Sequence, residues 1–242
     1  MIYVIGTGPG GLNEMTPRAF EALKECEIIS GYEKYIELVK NFLPGKIFMS
    51  YKMREEVKRC EEALKISRDS NKKIALISSG DPGVYGMAGL ILEMSEGSGE
   101  EIEIIPGITA ANSAAAILGA PLMNDYAVIS LSDLLTDWSI IEKRLAAACE
   151  GDFVIALYNP ASRYRPKNFE RACEILLRYK DPATPSGYVR NAGREGTEFE
   201  VMTLENLKAC KKIDMLCTVI IGNSQSKIIN GKLITARGYK VI

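Results

Sequence analysis

The chain has 242 residues, 47% of them hydrophobic and 25% charged, with a formal net charge of −1. That length suffices for one large or two modest domains, and the near-neutral charge argues against a nucleic-acid partner, which needs a basic surface. No apolar run approaches the roughly 20 residues that span a bilayer, so no membrane association is expected. The opening MIYVIGTGPGG lacks a basic segment ahead of a long apolar one and reads as a first strand, not a signal peptide. Thr16-Pro17 then opens a helix, with Thr as N-cap and Pro at its first position, and ECEIIS is a second strand. Met53, Val57, Cys60 and Leu64 recur at helical spacing in a stretch otherwise coated with charge. KIALISS is a third strand, Met87 to Ser95 a helix that Gly97 can close, EIEIIPG a fourth strand, and TAANSAAAILG a helix of small residues.

The pattern restarts near Asp125: DYAVISLSD is a strand, SIIEKRLAAACEG a helix stopped by Gly151, FVIALYNP a strand and PKNFERACEILLRY a helix. The remainder leans towards strands (SGYVRNA, EFEVMTL, MLCTVIIGN, KLITARGYKV), which predicts a mixed sheet with antiparallel members. Strand and helix alternation gives an α/β fold of two domains, residues 1–122 with a mostly parallel sheet and residues 123–242 with the mixed one.

Two features of composition narrow the chemistry. The six cysteines (Cys26, Cys60, Cys149, Cys173, Cys210, Cys217) form no C-x-x-C pair and read as buried thiols of a reducing compartment. There is no histidine, which removes Ser-His-Asp and Cys-His pairs and histidine-based zinc sites together. No metal is expected, and proton transfer falls to carboxylates, Lys, Tyr, Cys or water.

Gly6-Thr7-Gly8-Pro9-Gly10-Gly11 satisfies G-x-G-x-x-G after an opening strand, so a dinucleotide fold is one alternative. Against it, the helix starts only at Thr16-Pro17, and the second strand ends in Ser30-Gly31-Tyr32 without the carboxylate that would hold a ribose. The glycines otherwise permit positive φ and close approach of a ligand to backbone, or simply make a tight turn. Three more loops share this design: Ser78 to Gly86 after the third strand, Pro106 to Ala111 after the fourth, and Tyr158 to Arg163 in the second half. Small residues and backbone groups at several strand ends suit an adenosine with a flexible amino-acid tail, and no G-x-x-x-x-G-K-[ST] is present.

In this order, IGTGPGGLNEMTPRA, SSGDPGVYGMA and PGITAANSAAAILGAPL resemble the tetrapyrrole (class III) methyltransferases across nearly the whole chain. VISLSDLLTDW, LYNPASRYRP and VRNAGREGTEFEV look like the precorrin-3B or cobalt-precorrin-3 C-17 methyltransferases of corrin (cobalamin) biosynthesis. The resemblance implies two α/β domains with the active site in the cleft between them, S-adenosylmethionine as cofactor, a tetrapyrrole substrate, a cytoplasmic homodimer, and methylation at C-17 with ring contraction. It implies that Gly80, Asp81 and Val84 hold the methionine and ribose of the donor, with Thr109 and Ala110 beside them. Tyr158 and Asn159 would border the adenine, Asn191 and Ala192 would approach it with backbone, and Pro9 would face donor and tetrapyrrole. Asp81 can equally cap a turn through its own backbone, and Tyr158 can be a core aromatic.

A polycarboxylate substrate needs local cations. Arg163, Arg165 and Lys167, and Arg190 and Arg194, are candidates to clamp its carboxylates, with Gly8 and Gly10 close to the substrate; each arginine taken singly can also be solvated surface. The catalytic residue is open: Asp81, Asp133 or the substrate's own acetate could move protons. Methylation at C-11 or C-20, diphthine synthase chemistry on a protein histidine, and a non-enzymatic nucleotide-sensing module remain the competing readings.

Overall fold

The computed structural model describes residues 1–70, 72–162 and 165–239. By its contacts the chain divides into two compact units, Met1–Ala110 and Ala111–Ile242. The division falls within the first turn of the helix TAANSAAAIL. The reason is packing: Ala114, Ala115 and Leu118 bury themselves with Val154, Val189, Ile220 and Leu233, all of the second unit.

In the first unit β1 (Ile2–Gly6) leads through a short 3₁₀ turn to α1 (Pro17–Glu25). Thr16 caps α1 by accepting the Ala19 N–H at 3.2 Å, and Pro17 sits in its first turn; a cap of this kind stabilises by about 1 kcal/mol. Then come β2 (Ile28–Tyr32), α2 (Glu33–Val39), β3 (Ile47–Tyr51), α3 (Glu56–Asp69), β4 (Ile74–Ser78), α4 (Ala88–Met94) and β5 (Ile102–Ile105). The five strands form one parallel sheet in the order β3-β2-β4-β1-β5. Strands β1 and β4 are buried along their whole length, as strands covered by helices on both faces must be. Tyr3, Ile5, Ile29 and Ile77 pack with α1 and α2 on one face, and Ile2, Val4, Ile74 and Leu76 with α3 and α4 on the other.

Two expectations are corrected here. Helix α2 and strand β3 were not anticipated; β3 is an edge strand with Ile47 half-exposed. Helix α3 is present but turned: its buried side is Arg59, Cys60, Ala63, Leu64 and Ser67, while Val57 and Met53 are exposed. An arginine lies inside where the periodicity placed a valine.

The second unit begins with α5 (Ala110–Leu118) and a two-residue strand β6 (Gly119–Ala120), then β7 (Tyr126–Ser130), α6 (Trp138–Glu150) and β8 (Val154–Tyr158). α7 (Asn168–Leu176), β9 (Pro185–Arg190), β10 (Glu198–Thr203), α8 (Leu204–Ala209), β11 (Cys217–Ile221), β12 (Ser226–Ile229) and β13 (Lys232–Thr235) complete it. Its main sheet has the order β10-β9-β11-β8-β7. β7 and β8 are parallel, and β11 is antiparallel to both β8 and β9, so the sheet is mixed. By the same pairings β7, β8 and β9 point the same way and end at one edge. Strands β12, β13 and β6 make a small second sheet. No helix of the described residues is long and apolar enough to cross a membrane.

Candidate functional site

The carboxyl ends of β1, β4 and β5 carry the loops Gly6 to Gly11, Ser78 to Gly86 and Pro106 to Ala110. These loops are bonded to one another. Thr7 donates its N–H to the Ser78 carbonyl at 2.9 Å, and its hydroxyl donates to the same oxygen at 3.2 Å. Gly8 and Gly80 exchange two backbone hydrogen bonds, of 3.1 and 2.7 Å, like a fragment of antiparallel ladder. Asp81 accepts the Gly83 N–H on Oδ1 at 2.8 Å and the Gly107 N–H on Oδ2 at 3.0 Å. The first bond closes its own turn; the second joins the loop after β4 to the loop after β5. Bonds to a charged acceptor stabilise by about 1.5–3 kcal/mol each.

The glycines explain how the loops come so near. A Cβ on Gly6 would lie 2.6 Å from both Gly107 N and Gly80 O, and a Cβ on Gly107 would overlap the Gly80 carbonyl. Their first duty is therefore contact between backbones, a role the sequence reading gave to a ligand. Gly80 differs. It stands at φ +70°, and a Cβ there would meet Ala110 N, Ile108 O and Thr109 Cα at 3.7–3.8 Å, ordinary van der Waals contact. The structure thus gathers Gly8, Gly80, Asp81, Thr109 and Ala110 at one edge. Pro9 and Gly10 are buried in the first loop, and Val84, half-buried, donates its N–H to the Asp81 carbonyl at 3.3 Å.

At the corresponding edge of the second sheet the contacts run through side chains. The Tyr158 hydroxyl accepts the Ala111 N–H at 2.7 Å in the first turn of α5, so Tyr158 is tied to a helix start. Asn159, left-handed at φ +51°, donates from Nδ2 to Ser130 Oγ at 3.0 Å. Buried Asn168 donates to the Leu131 carbonyl at 2.8 Å. Arg165 bonds Ser162 Oγ at 3.3 Å, contacts Ser132 Oγ, and stands 3.9 Å from Asp133 Oδ1. Its side chain is 12% exposed and that of Asp133 31%. Asn191, also left-handed, gives its N–H to the Leu216 carbonyl, while its own carbonyl accepts the Thr197 hydroxyl at 2.8 Å. Ala192 packs against the cluster around Val189.

Arg190 is engaged otherwise than a free clamp would be. Its Nε lies 2.9 Å from Asp214 Oδ2 and its Nη1 3.6 Å from Glu198, and the Asp214 bond raises its pKa above the ordinary arginine value. Arg163 lies outside the described residues. Lys167 is exposed at the start of α7.

Residues 1–208 match the family of Tetrapyrrole (Corrin/Porphyrin) Methylases. The chain belongs to that family. Such methylases take their methyl group from S-adenosylmethionine. This methylase is 46% identical over 241 residues to the probable cobalt-factor III C(17)-methyltransferase of Salmonella typhimurium, a match covering 99% of each chain. It is 45% identical over 245 residues to the cobalt-factor III methyltransferase of Priestia megaterium, covering 99% of this chain and 45% of that one; it spans less than half the length of that relative. Among solved structures, that of the methyltransferase CobJ matches with a TM-score of 0.89 at 35% identity, covering 97% of this methylase and 99% of the other chain.

The residues present fit the donor. A Cβ at Gly80 would touch only backbone at ordinary contact distance, and residues 6–11, 78–86 and 106–110 offer mostly small side chains with no lysine or arginine to repel a sulfonium. Sequence reasoning missed the partners more than the residues: Gly107 for Asp81, Ala111 for Tyr158, Ser130 for Asn159, Asp214 for Arg190. Only the glycines at positions 6 and 107, each closing a strand, carried a readable signal.

Proposed function

We propose that this methylase moves the methyl group of S-adenosylmethionine to C-17 of precorrin-3B or cobalt-precorrin-3 and contracts the macrocycle towards corrin. The reading is carried by one observation: three strand-end loops interlock, Gly8 with Gly80 and Asp81 with Gly107, at the edge of a parallel sheet, where open α/β sheets bind ligands. The full-length likeness to a C(17)-methyltransferase supports the position on the ring, and the relatives named for cobalt-factor III favour the cobalt-containing substrate.

The donor supplies a methyl group already activated on sulfonium, so the chain's task is alignment and exclusion of water more than acid catalysis. Gly80, Asp81 and Val84 hold the methionine and ribose, Thr109 and Ala110 flank them, and Pro9 borders both donor and tetrapyrrole. Tyr158, Asn159, Asn191 and Ala192 are assigned to the adenine. Asp81 acts by fixing the backbone around the donor, because both its oxygens already accept N–H groups. Proton movement during contraction then belongs to the Asp133 carboxylate or the substrate's own acetate, which closes a lactone as C-20 leaves the ring. Arg165, steadied by Ser132, Ser162 and Asp133, is the arginine best placed to meet a substrate carboxylate on the second edge. The six free cysteines support a reducing, cytoplasmic setting, and the family resemblance supports a homodimer.

Incubation with methyl-labelled S-adenosylmethionine and the tetrapyrrole, with and without cobalt, is expected to give a ring-contracted product labelled at C-17. Label at C-11 or C-20, or none on the tetrapyrrole, would overturn the reading.

A further inference from the structure

Among the described residues, two buried side-chain polar atoms lack a hydrogen-bond partner, Ser30 Oγ and Arg59 Nε. Both stand beside Tyr51. Arg59 is only 3% exposed, and its guanidinium lies 5.6 Å from the Tyr51 ring centre, in cation–π contact. Ser30, 1% exposed, pairs in register with Met49 of β3, and Tyr32 with Tyr51, so Ser30 shares the sheet face of Tyr51 that α3 covers. The Tyr51 hydroxyl donates to Glu62 Oε2 at 2.5 Å, and Arg59 Nε makes no hydrogen bond to it. The groups around the guanidinium are Glu56, Cys60, Tyr35 and Tyr51. No carboxylate of the described residues comes within 4.0 Å of it.

A guanidinium remains charged in proteins, and burial is the main influence on this one, pulling its pKa below the ordinary arginine value. A buried charge without a counter-charge costs several kcal/mol. A trapped water would satisfy one N–H but leave the charge uncompensated. Glu56 acts on it from beyond 4.0 Å, and an anion held closer would compensate the charge more fully. Tyr32 and Tyr51 are the last residues of β2 and β3, at the same carboxyl edge of the sheet as the Gly8–Gly80 interlock. In the order β3-β2-β4-β1, two strand spacings separate the ends of β2 and β3 from those of β4 and β1, about 10 Å.

We propose that Arg59, with Ser30 and the face of Tyr51, forms a buried subsite at the ends of β2 and β3 that takes one peripheral carboxylate of the substrate. This rests on the functional reading above for the identity of the carboxylate's bearer. The carboxylate enters beside Tyr32 and accepts from the guanidinium fork and from the Ser30 hydroxyl. The subsite thereby helps fix which ring carbon faces the donor. Its maintenance without ligand is a stability cost retained for binding.

Arg59→Met is expected to weaken tetrapyrrole binding about 10- to 100-fold, followed by absorbance, while S-adenosylhomocysteine binding changes less than about twofold. The same variant is expected to unfold at an equal or higher temperature, since an uncompensated buried charge has gone. Ser30→Ala, which removes only an orphan hydroxyl, is expected to weaken tetrapyrrole binding about 3- to 10-fold with no loss of stability, and Arg59→Lys to restore part of the affinity. Unchanged tetrapyrrole affinity in both Arg59→Met and Ser30→Ala, or a lowered unfolding temperature in Arg59→Met, would overturn the subsite. Should the wild-type chain bind no tetrapyrrole, the functional reading fails by itself. The subsite is then decided by acetate at about 0.2 M against chloride at equal ionic strength, which must raise the unfolding temperature of the wild type and not of Arg59→Met.

Discussion

The edges of the two sheets are built by different means. Around β1, β4 and β5 the loops meet backbone to backbone: Gly8 bonds Gly80, Thr7 bonds Ser78, and Gly6 and Gly107 leave no room for a Cβ. Around β7, β8 and β9 they meet through side chains: Asn159 on Ser130, Asn168 on the Leu131 carbonyl, Arg165 on Ser132 and Ser162. Backbone contact admits only glycine at the point of closest approach, whereas a side-chain bridge can be rebuilt from other polar residues. The first edge should therefore tolerate far less change. Gly107→Ala tests this hardest, because the new methyl meets the Gly80 and Gly6 carbonyls. It is expected to destabilise the first unit by about 3 kcal/mol in a denaturant titration and to abolish donor binding. Gly11→Ala, whose methyl would have nothing within 4 Å, should stay within about 0.5 kcal/mol of wild type. Equal stability of the two variants would remove the interlock.

The two candidate carboxylates sharpen the same contrast. Asp81→Asn keeps one acceptor oxygen but turns an NH₂ towards an N–H it had accepted. A loss of about 2 kcal/mol is expected, with weaker donor binding measured by calorimetry. Among the described residues Asp133 faces Arg165, at 3.9 Å and partly in water, and partly exposed pairs that far apart contribute about 0–1 kcal/mol. Asp133→Asn should accordingly leave stability and donor affinity alone and slow ring contraction relative to methylation. If Asp133→Asn instead gives contracted product at the wild-type rate, the proton passes through the substrate's acetate.

The sequence was legible where local chemistry leaves one solution. Thr16-Pro17 announces α1, and the glycine runs announce loops at strand ends. β3 was missed because IFMSY is a short edge strand with its first side chain in water, so it shows neither a buried run nor clean alternation. α2 follows β2 with no side-chain cap at Tyr32, leaving no start signal. α8 does have one, Thr203 accepting the Asn206 N–H at 3.3 Å, and the stretch TLEN could have been read for it. The turned face of α3 is a deeper limit. Charge in a helix pattern is assumed to point outward, and nothing in EVKRCEEALK distinguishes Arg59, which is buried, from Lys58, which is exposed. The tertiary partner, Tyr51, lies in the strand that was also missed.

Asn159 offers the cleanest division between backbone and side chain. At φ +51° it occupies the left-handed region, which glycine adopts freely, asparagine tolerates and alanine resists. Asn159→Gly keeps the conformation and deletes only the bond to Ser130, so it should cost about 0.5–1 kcal/mol. Asn159→Ala deletes the same bond and adds strain of about 1 kcal/mol. If the second edge is held by side chains, both variants weaken binding of S-adenosylhomocysteine, because both remove the Asn159 amide from Ser130. If only the backbone shape at the end of β8 matters, as at the first edge, Asn159→Gly binds like the wild type and Asn159→Ala alone fails. Calorimetry on the pair separates these outcomes, and the second would show that the end of β8 is held by backbone shape, which asparagine supplies there as glycine does at the ends of β1 and β4.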